Sequence, residues 1–191
     1  MVFWNCQADI AANEDQQLTL RIKDKDRSDI HITAVYAKCT ARERKDFWAN
    51  IEDISNDIAG PWCIGGDFNV IMDSEEKLGG RPHRAHRSVD FTATMEYCGL
   101  VDLGYFGPRF TWCNNRRTNK RIWKRLDSII VNDEWTQKFQ NNYITHLVRT
   151  GSDHRSLFMK RHSEQQEVIK YFMFLNIWVQ QPDFLEVVQN N

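Results

Sequence analysis

The ten residues WCIGGDFNVI, Trp62 to Ile71, decide how this chain is read. An apolar run, Trp62-Cys63-Ile64, gives way to Gly65-Gly66, and Asp67 and Asn69 then stand two positions apart before the chain turns apolar again. A strand projects residues i and i+2 to one face, so this spelling predicts a buried strand that delivers a carboxylate and an amide side by side where it leaves its sheet. Such a pair can hold a water, a metal or a phosphate, and glycines let a backbone or a ligand come close. A β-turn in which Asp67 and Asn69 satisfy only local backbone groups fits the same letters. Other parts of the chain have to choose between the two.

At 191 residues, 41% hydrophobic and 12% aromatic, the chain is long and apolar enough to fold around a core, which excludes a disordered segment. Its 25 Lys+Arg against 26 Asp+Glu leave a net charge of −1, so any affinity for nucleic acid must come from local charge. The longest apolar run, YFMFLNIWV (171–179), is well short of the ~20 residues of a membrane span, and Met1–Cys6 lacks the features of a signal peptide. Five cysteines (Cys6, Cys39, Cys63, Cys98, Cys113) are odd in number, contain no C-x-x-C pair and sit mostly in apolar stretches. They read as reduced core thiols of an intracellular protein.

LTLRIK (18–23) and IHITAVYA (30–37) alternate like half-buried strands and are joined by a polar turn, which predicts a hairpin. Thr40-Ala-Arg-Glu43 is a capping box, and Phe47, Ile51, Ile54 and Ile58 follow at helical spacing until Gly60-Pro61. ANEDQQ (12–17) reads as a polar stretch and residues 73–87 as a loop. Ser88 is expected to cap a second helix with Phe91, Met95 and Cys98 inward and Gly99 at its end. The second half predicts strands at RFTWCN, RIWKRLDSIIVN, YITHLVRT and RSLFMK, with a short helix at DEWTQKF. Strands and helices interleaved in this way predict an α/β layered fold with much antiparallel pairing.

Two further motifs end at charged residues: RLD, closing on Asp127, and Ser152-Asp153-His154. Taken alone, Asp127 could pair with Arg125 or a nearby lysine, and His154 could be structural. Their order is more informative. The series Tyr36, GDxN, RLD, SDH resembles the endonuclease/exonuclease/phosphatase family, which includes abasic-site endonucleases and the endonuclease domains of LINE-type (non-LTR) retrotransposons. The wording VYAKCTARERKDFW, CIGGDFNVI, RFTWCNNR, KRLDSIIVN and SDHRSL resembles the plant elements most, and FLNIWVQQPDFLEVV resembles the connector that leads to their reverse transcriptase. The resemblance implies a four-layer α/β sandwich of two packed mixed sheets with outer helices over residues 1–162. Residues 163–191 would then be the connector.

It also implies a chemistry: divalent-metal-dependent hydrolysis of a DNA phosphodiester, in the nucleus, with no membrane partner. The hard oxygen donors and the lack of a thiolate cluster suit Mg²⁺ or Mn²⁺. By resemblance, Asp67 orients and deprotonates the attacking water, Asn69 fixes that water and the phosphate, and His154 contacts a phosphate oxygen or shares proton handling. Asp127 fixes the tautomer of His154, Asp153 is a carboxylate of the metal site, and Tyr36 is a phosphate-side hydroxyl. For Tyr36 a ring packed in the core is the alternative reading, as it is for Trp112, which by resemblance lies near a nucleotide base. Arg116, Arg117, Lys120, Arg121, Lys124 and Arg125 put six cations within ten residues, and Arg81, Arg84 and Arg87 add a second basic loop. Such runs are commonly solvated faces; beside RLD and GDxN they read as a surface for phosphates.

One part of the family pattern is not found. Relatives contribute an Asn and a Glu metal ligand from two N-terminal strands, and this chain reads as starting after both: Trp4-Asn5 stands too close to Tyr36, and Glu14 lies in a polar stretch. The expectation is therefore an N-terminally truncated domain with weak Mg²⁺ binding and impaired nicking. An inactive remnant that at most binds nucleic acid, or a phosphatase of the same fold, are the alternatives.

Overall fold

A computed structural model describes residues 8–24 and 27–161. Trp4-Asn5, Cys6 and the connector reading of 163–191 lie outside those residues. Strands β1 (Ala8–Glu14), β2 (Gln17–Lys23) and β3 (Asp29–Tyr36) form an antiparallel meander; α1 (Lys45–Asp57) crosses over, and β4 (Trp62–Asp67) returns parallel to β3. The chain continues through β5 (Lys77–Leu78), α2 (Val89–Tyr97), β6 (Val101–Asp102), β7 (Trp112–Cys113), β8 (Trp123–Lys124), β9 (Asp127–Val131), α3 (Asp133–Lys138), β10 (Asn142–His146) and β11 (Leu157–Arg161). The main sheet is mixed, in the order β1-β2-β3-β4-β9-β6, beside a pair β10-β11 and a small sheet β5-β8-β7.

Strand periodicity divides the core between the two faces of the main sheet. Val35, Trp62, Ile64 and Ile130 pack against Phe47, Trp48 and Ile51 of α1 and Phe91 of α2. Ile30, Cys63, Ile129 and Val131 pack on the other side against Trp135 and Phe139 of the α3 segment and Ile144 of β10, with Leu157 and Met159 of β11 alongside. This is an α/β fold in which α1 and α2 cover one face of a mixed sheet, and α3 and a second, smaller sheet pack on the other. Asp67 and Asp127 share the strand parity of Cys63 and Ile129, so they end β4 and open β9 on the face that meets the second sheet.

Several local expectations change. The capping box does form, with Glu43 N–H donating to Thr40 Oγ1 at 3.3 Å, but it closes the turn before α1. Ser88 stands at the N-cap of α2 with no side-chain cap bond; its hydroxyl meets His83 Nε2 at 2.7 Å instead. Residues 12–14 of the polar stretch belong to β1, an edge strand with almost every residue exposed, where no alternation of polarity is needed. RIWKRLDSIIVN is two strands in two sheets, because Arg125 turns inward between them. Cys63 and Cys113 are buried, whereas Cys39 is exposed on a loop.

Among the described residues no helix is long and apolar enough to cross a membrane.

Candidate active site

Gly66 allows β4 to reach its end. Its φ is +143°, and a Cβ there would stand 2.0 Å from the Val35 carbonyl oxygen, so the glycine serves close approach of β3's backbone. Gly65 meets only ordinary contact, with Ile129 at 3.4 Å. Beyond Gly66, Tyr36, Asp67 and Asp127 fall in one row, since Tyr36 pairs with Asp67 across β3/β4 and Asp67 with Asp127 across β4/β9. Two buried carboxylates directly opposite one another destabilise a sheet unless a proton or a cation separates them.

His154 supplies part of that balance. Its Nδ1 is 2.9 Å from Asp127 Oδ2, and its Nε2 is 3.8 Å from Asp67 Oδ2. The hydrogen bond to Asp127, with the further charge of Asp67 and Asp153, raises the imidazole's pKa against the opposing effect of burial. Burial, reinforced by Asp127, pushes the Asp67 carboxyl up to about 6, although the Asn69 N–H, His154 and Arg44 all favour its ionised form. Ligand atoms of Asp67, Asp127 and His154 lie within 4.8 Å of one another.

Asn69 is next to Asp67, but the strand pleat does not put it there. The strand ends at Asp67, and Asn69 has φ +52°; its N–H donates to Asp67 Oδ1 at 2.9 Å and its Nδ2 donates to Asp67 Oδ2 at 3.1 Å and to the Ala37 carbonyl at 2.8 Å. The amide and the local turn are thus one feature. Tyr36 lies 75% exposed at the end of the same row, outside the core. Asp153 is exposed and outside the three-residue cluster; its carboxylate accepts from the Trp112 indole N–H at 3.0 Å, which holds its pKa down. Trp112, half-buried, bridges His154 through the backbone and, with Arg116 and Asp153, lines an open cleft of about 780 Å³.

The cationic run separates in space. Arg116, Arg117, Lys120 and Arg121 are exposed, as are Arg81 and Arg84, and Lys124 is half-buried with its ammonium 5.5 Å from the Trp112 ring centre. Arg125 is a structural residue: it is buried and ion-paired to Glu76 and Asp102, each at 2.6 Å, over the Tyr105 ring. It makes no pair with Asp127. Thr111, fully buried, was not singled out from sequence: its hydroxyl oxygen accepts from the backbone N–H groups of Leu126 and Asp127 at 2.9 and 3.1 Å, and its carbonyl accepts from Arg155 N–H at 2.7 Å. Thr111 thereby ties the strand bearing Asp127 to the segment bearing His154. A threonine in an apolar stretch gives no sign of this. Glu14 ends strand β1, which β2 and β3 separate from β4, and is not in the cluster.

The model of the endonuclease/exonuclease/phosphatase family matches residues 4–154. The chain belongs to that family. Its fold is similar to the endonuclease domain of TRAS1, a telomere-specific non-LTR retrotransposon, with TM-score 0.66 at 14% identity over 84% of this chain and 71% of that one. It is also similar to the 3′ phosphatase NExo from Neisseria bound to product DNA hairpin (0.58, 13%, 83% and 71%) and to D. rerio TDP2 complexed with single-strand DNA product (0.51, 12%, 84% and 68%). No curated protein matches the chain. At these identities the likeness is one of fold; family membership adds the class of chemistry, phosphodiester or phosphoester hydrolysis.

Proposed function

We propose that this chain is a divalent-metal-dependent phosphodiesterase acting on DNA, the nicking endonuclease of a LINE-type element whose reverse transcriptase follows it. The observation that carries the reading is the opposed pair Asp67 and Asp127 with His154 held between them. The donor set fits a hard cation: two buried carboxylates that repel each other, and no thiolate in the cluster. When bound, Mg²⁺ or Mn²⁺ neutralises charge on the phosphoryl group and makes water more acidic. The carboxylates of Asp67 and Asp127 would hold it, with Asp153, engaged by the Trp112 indole, lying outside the cluster.

The residues themselves account for the remaining steps. Asp67, a buried carboxylate at the mouth of β4, is placed to orient the attacking water and to take its proton. Asn69 holds that carboxylate in place through two hydrogen bonds. With its Nδ1–H committed to Asp127, His154 presents Nε2 to a phosphate oxygen, and as imidazolium it donates there. The Tyr36 hydroxyl, exposed beside Asp67, is available to the same phosphate. The exposed cations around Trp112 and on the 81–87 loop supply affinity for the strand.

The test is nicking of supercoiled plasmid by the full chain and by His154→Ala, each in Mg²⁺ and in chelator. The expected result is nicking that requires metal and falls at least a hundredfold in His154→Ala. Nicking that survives chelation, or is equal in the two chains, overturns the proposal; phosphate release from DNA 3′ ends without nicking moves it to a phosphatase.

A further inference from the structure

A second cleft, of about 430 Å³, begins where the catalytic cluster ends, because Asn69 both contacts Asp67 and forms part of the cleft's wall. Four cations line it: Arg44, Lys77, Arg87 and Lys124, with His83 beside them and no carboxylate. They come from four separate places in the sequence, and only Lys124 and Arg87 belong to the basic runs noted above. Among the described residues none of the four is ion-paired.

Two features show that this is more than a solvated basic face. Lys77 and Lys124 are register partners across β5 and β8, so both leave the small sheet on one face, directly opposite each other. Like charges directly opposite destabilise a sheet; the Lys77 ammonium donates to the Arg81 carbonyl and the Lys124 ammonium lies over the Trp112 ring, and neither has an anionic partner among the described residues. Arg44 is buried; one of its nitrogens donates to the Lys38 carbonyl at 2.8 Å, while its Nε has no partner. A buried donor left unpaired costs about 1–3 kcal/mol. Burial, followed by Lys77, Arg87 and Arg44, also holds the Lys124 ammonium below its ordinary range.

We propose that this cleft seats one phosphate group of the DNA strand, flanking the phosphate presented to Asp67 and His154 and held by Lys77, Arg87, Lys124 and Arg44. The inference rests on the nuclease reading for the identity of the strand, while the anion site itself rests on the cleft. Lys124 stands between this cleft and the one lined by Trp112 and Arg116, so the strand would cross the catalytic rim from one to the other. The phosphate could be an internal phosphodiester or the terminal monoester of a strand end.

The experiment titrates inorganic phosphate into the full chain by calorimetry, in chelator, so that the acidic cluster repels the probe. Phosphate should bind in the millimolar range. Binding should fall at least tenfold in Lys77→Gln/Arg87→Gln and persist in the charge-keeping Lys77→Arg/Arg87→Lys. The salt slope of duplex binding should fall by about 2 in the neutralised variant. Equal phosphate binding by wild type and Lys77→Gln/Arg87→Gln overturns the proposal, as does loss in the charge-keeping variant. If no chain nicks plasmid but phosphate binding still depends on Lys77 and Arg87, the nuclease reading fails and the phosphate seat stands. Duplexes with a single methylphosphonate at successive positions, against duplexes with and without a terminal phosphate, separate the two sources: a neutral linkage that weakens binding at one internal position identifies the phosphodiester.

Discussion

Asp67→Asn should make this protein more stable at neutral pH while removing the proposed nuclease activity. The Asp67 carboxyl ordinarily titrates at 3.8 and is pushed to about 6 in the fold, first by burial. A native state that holds its proton more tightly than the unfolded chain loses stability as pH rises between those two values. The shift of about 2 units corresponds to about 3 kcal/mol, absent below pH 3.8 and fully expressed above pH 6. An asparagine carries no such cost, but its NH₂ would face Asn69 Nδ2 in place of a carboxylate oxygen, a loss of about 1 kcal/mol. The variant should therefore be about 0.5 kcal/mol less stable than wild type at pH 4, where the cost has begun to appear, and about 2 kcal/mol more stable at pH 6.5. His154 acts in another window: its raised pKa contributes stability that is complete below 6.5 and is lost as pH rises through the higher folded value. Urea unfolding of both chains in chelator from pH 4 to 6.5, followed by tryptophan fluorescence, isolates the Asp67 effect. A stability difference that stays constant across that range would refute the reasoning.

Gly66→Ala should lower stability by more than 3 kcal/mol or abolish folding, measured by thermal unfolding, since its Cβ would overlap the Val35 carbonyl; Gly65→Ala, where contact is ordinary, should cost far less. Arg125→Ala should cost about 3–5 kcal/mol by urea unfolding, because it leaves Glu76 and Asp102 without their shared partner. With three clustered donors among the described residues, Mg²⁺ should bind weakly, in the millimolar range, and Asp67→Ala should abolish the calorimetric signal. Tight stoichiometric binding would contradict that expectation.

The α/β class, most of the elements and the family are legible in the order of the residues alone. These features are local or periodic: alternation in β2 and β3, helical spacing in α1, and four short motifs in a fixed order. The letters leave Asp67 and Asn69 open between a site and a turn; in the fold Asn69 makes the turn after β4 and, through it, binds the Asp67 carboxylate. Strand β1 has no signature in the letters, because a strand exposed on both faces has no hydrophobic pattern to show. The basic runs were legible as charge but not as position: Arg125 belongs to a buried ion-pair network, whereas Arg44 and Lys77, from helical and loop text, join Lys124 around one cleft. Which cations are neighbours, and that Thr111 joins β9 to the histidine segment, follow from the folded arrangement. Those facts depend on contacts between residues far apart in the chain, and a one-dimensional pattern does not encode which distant side chains share a face.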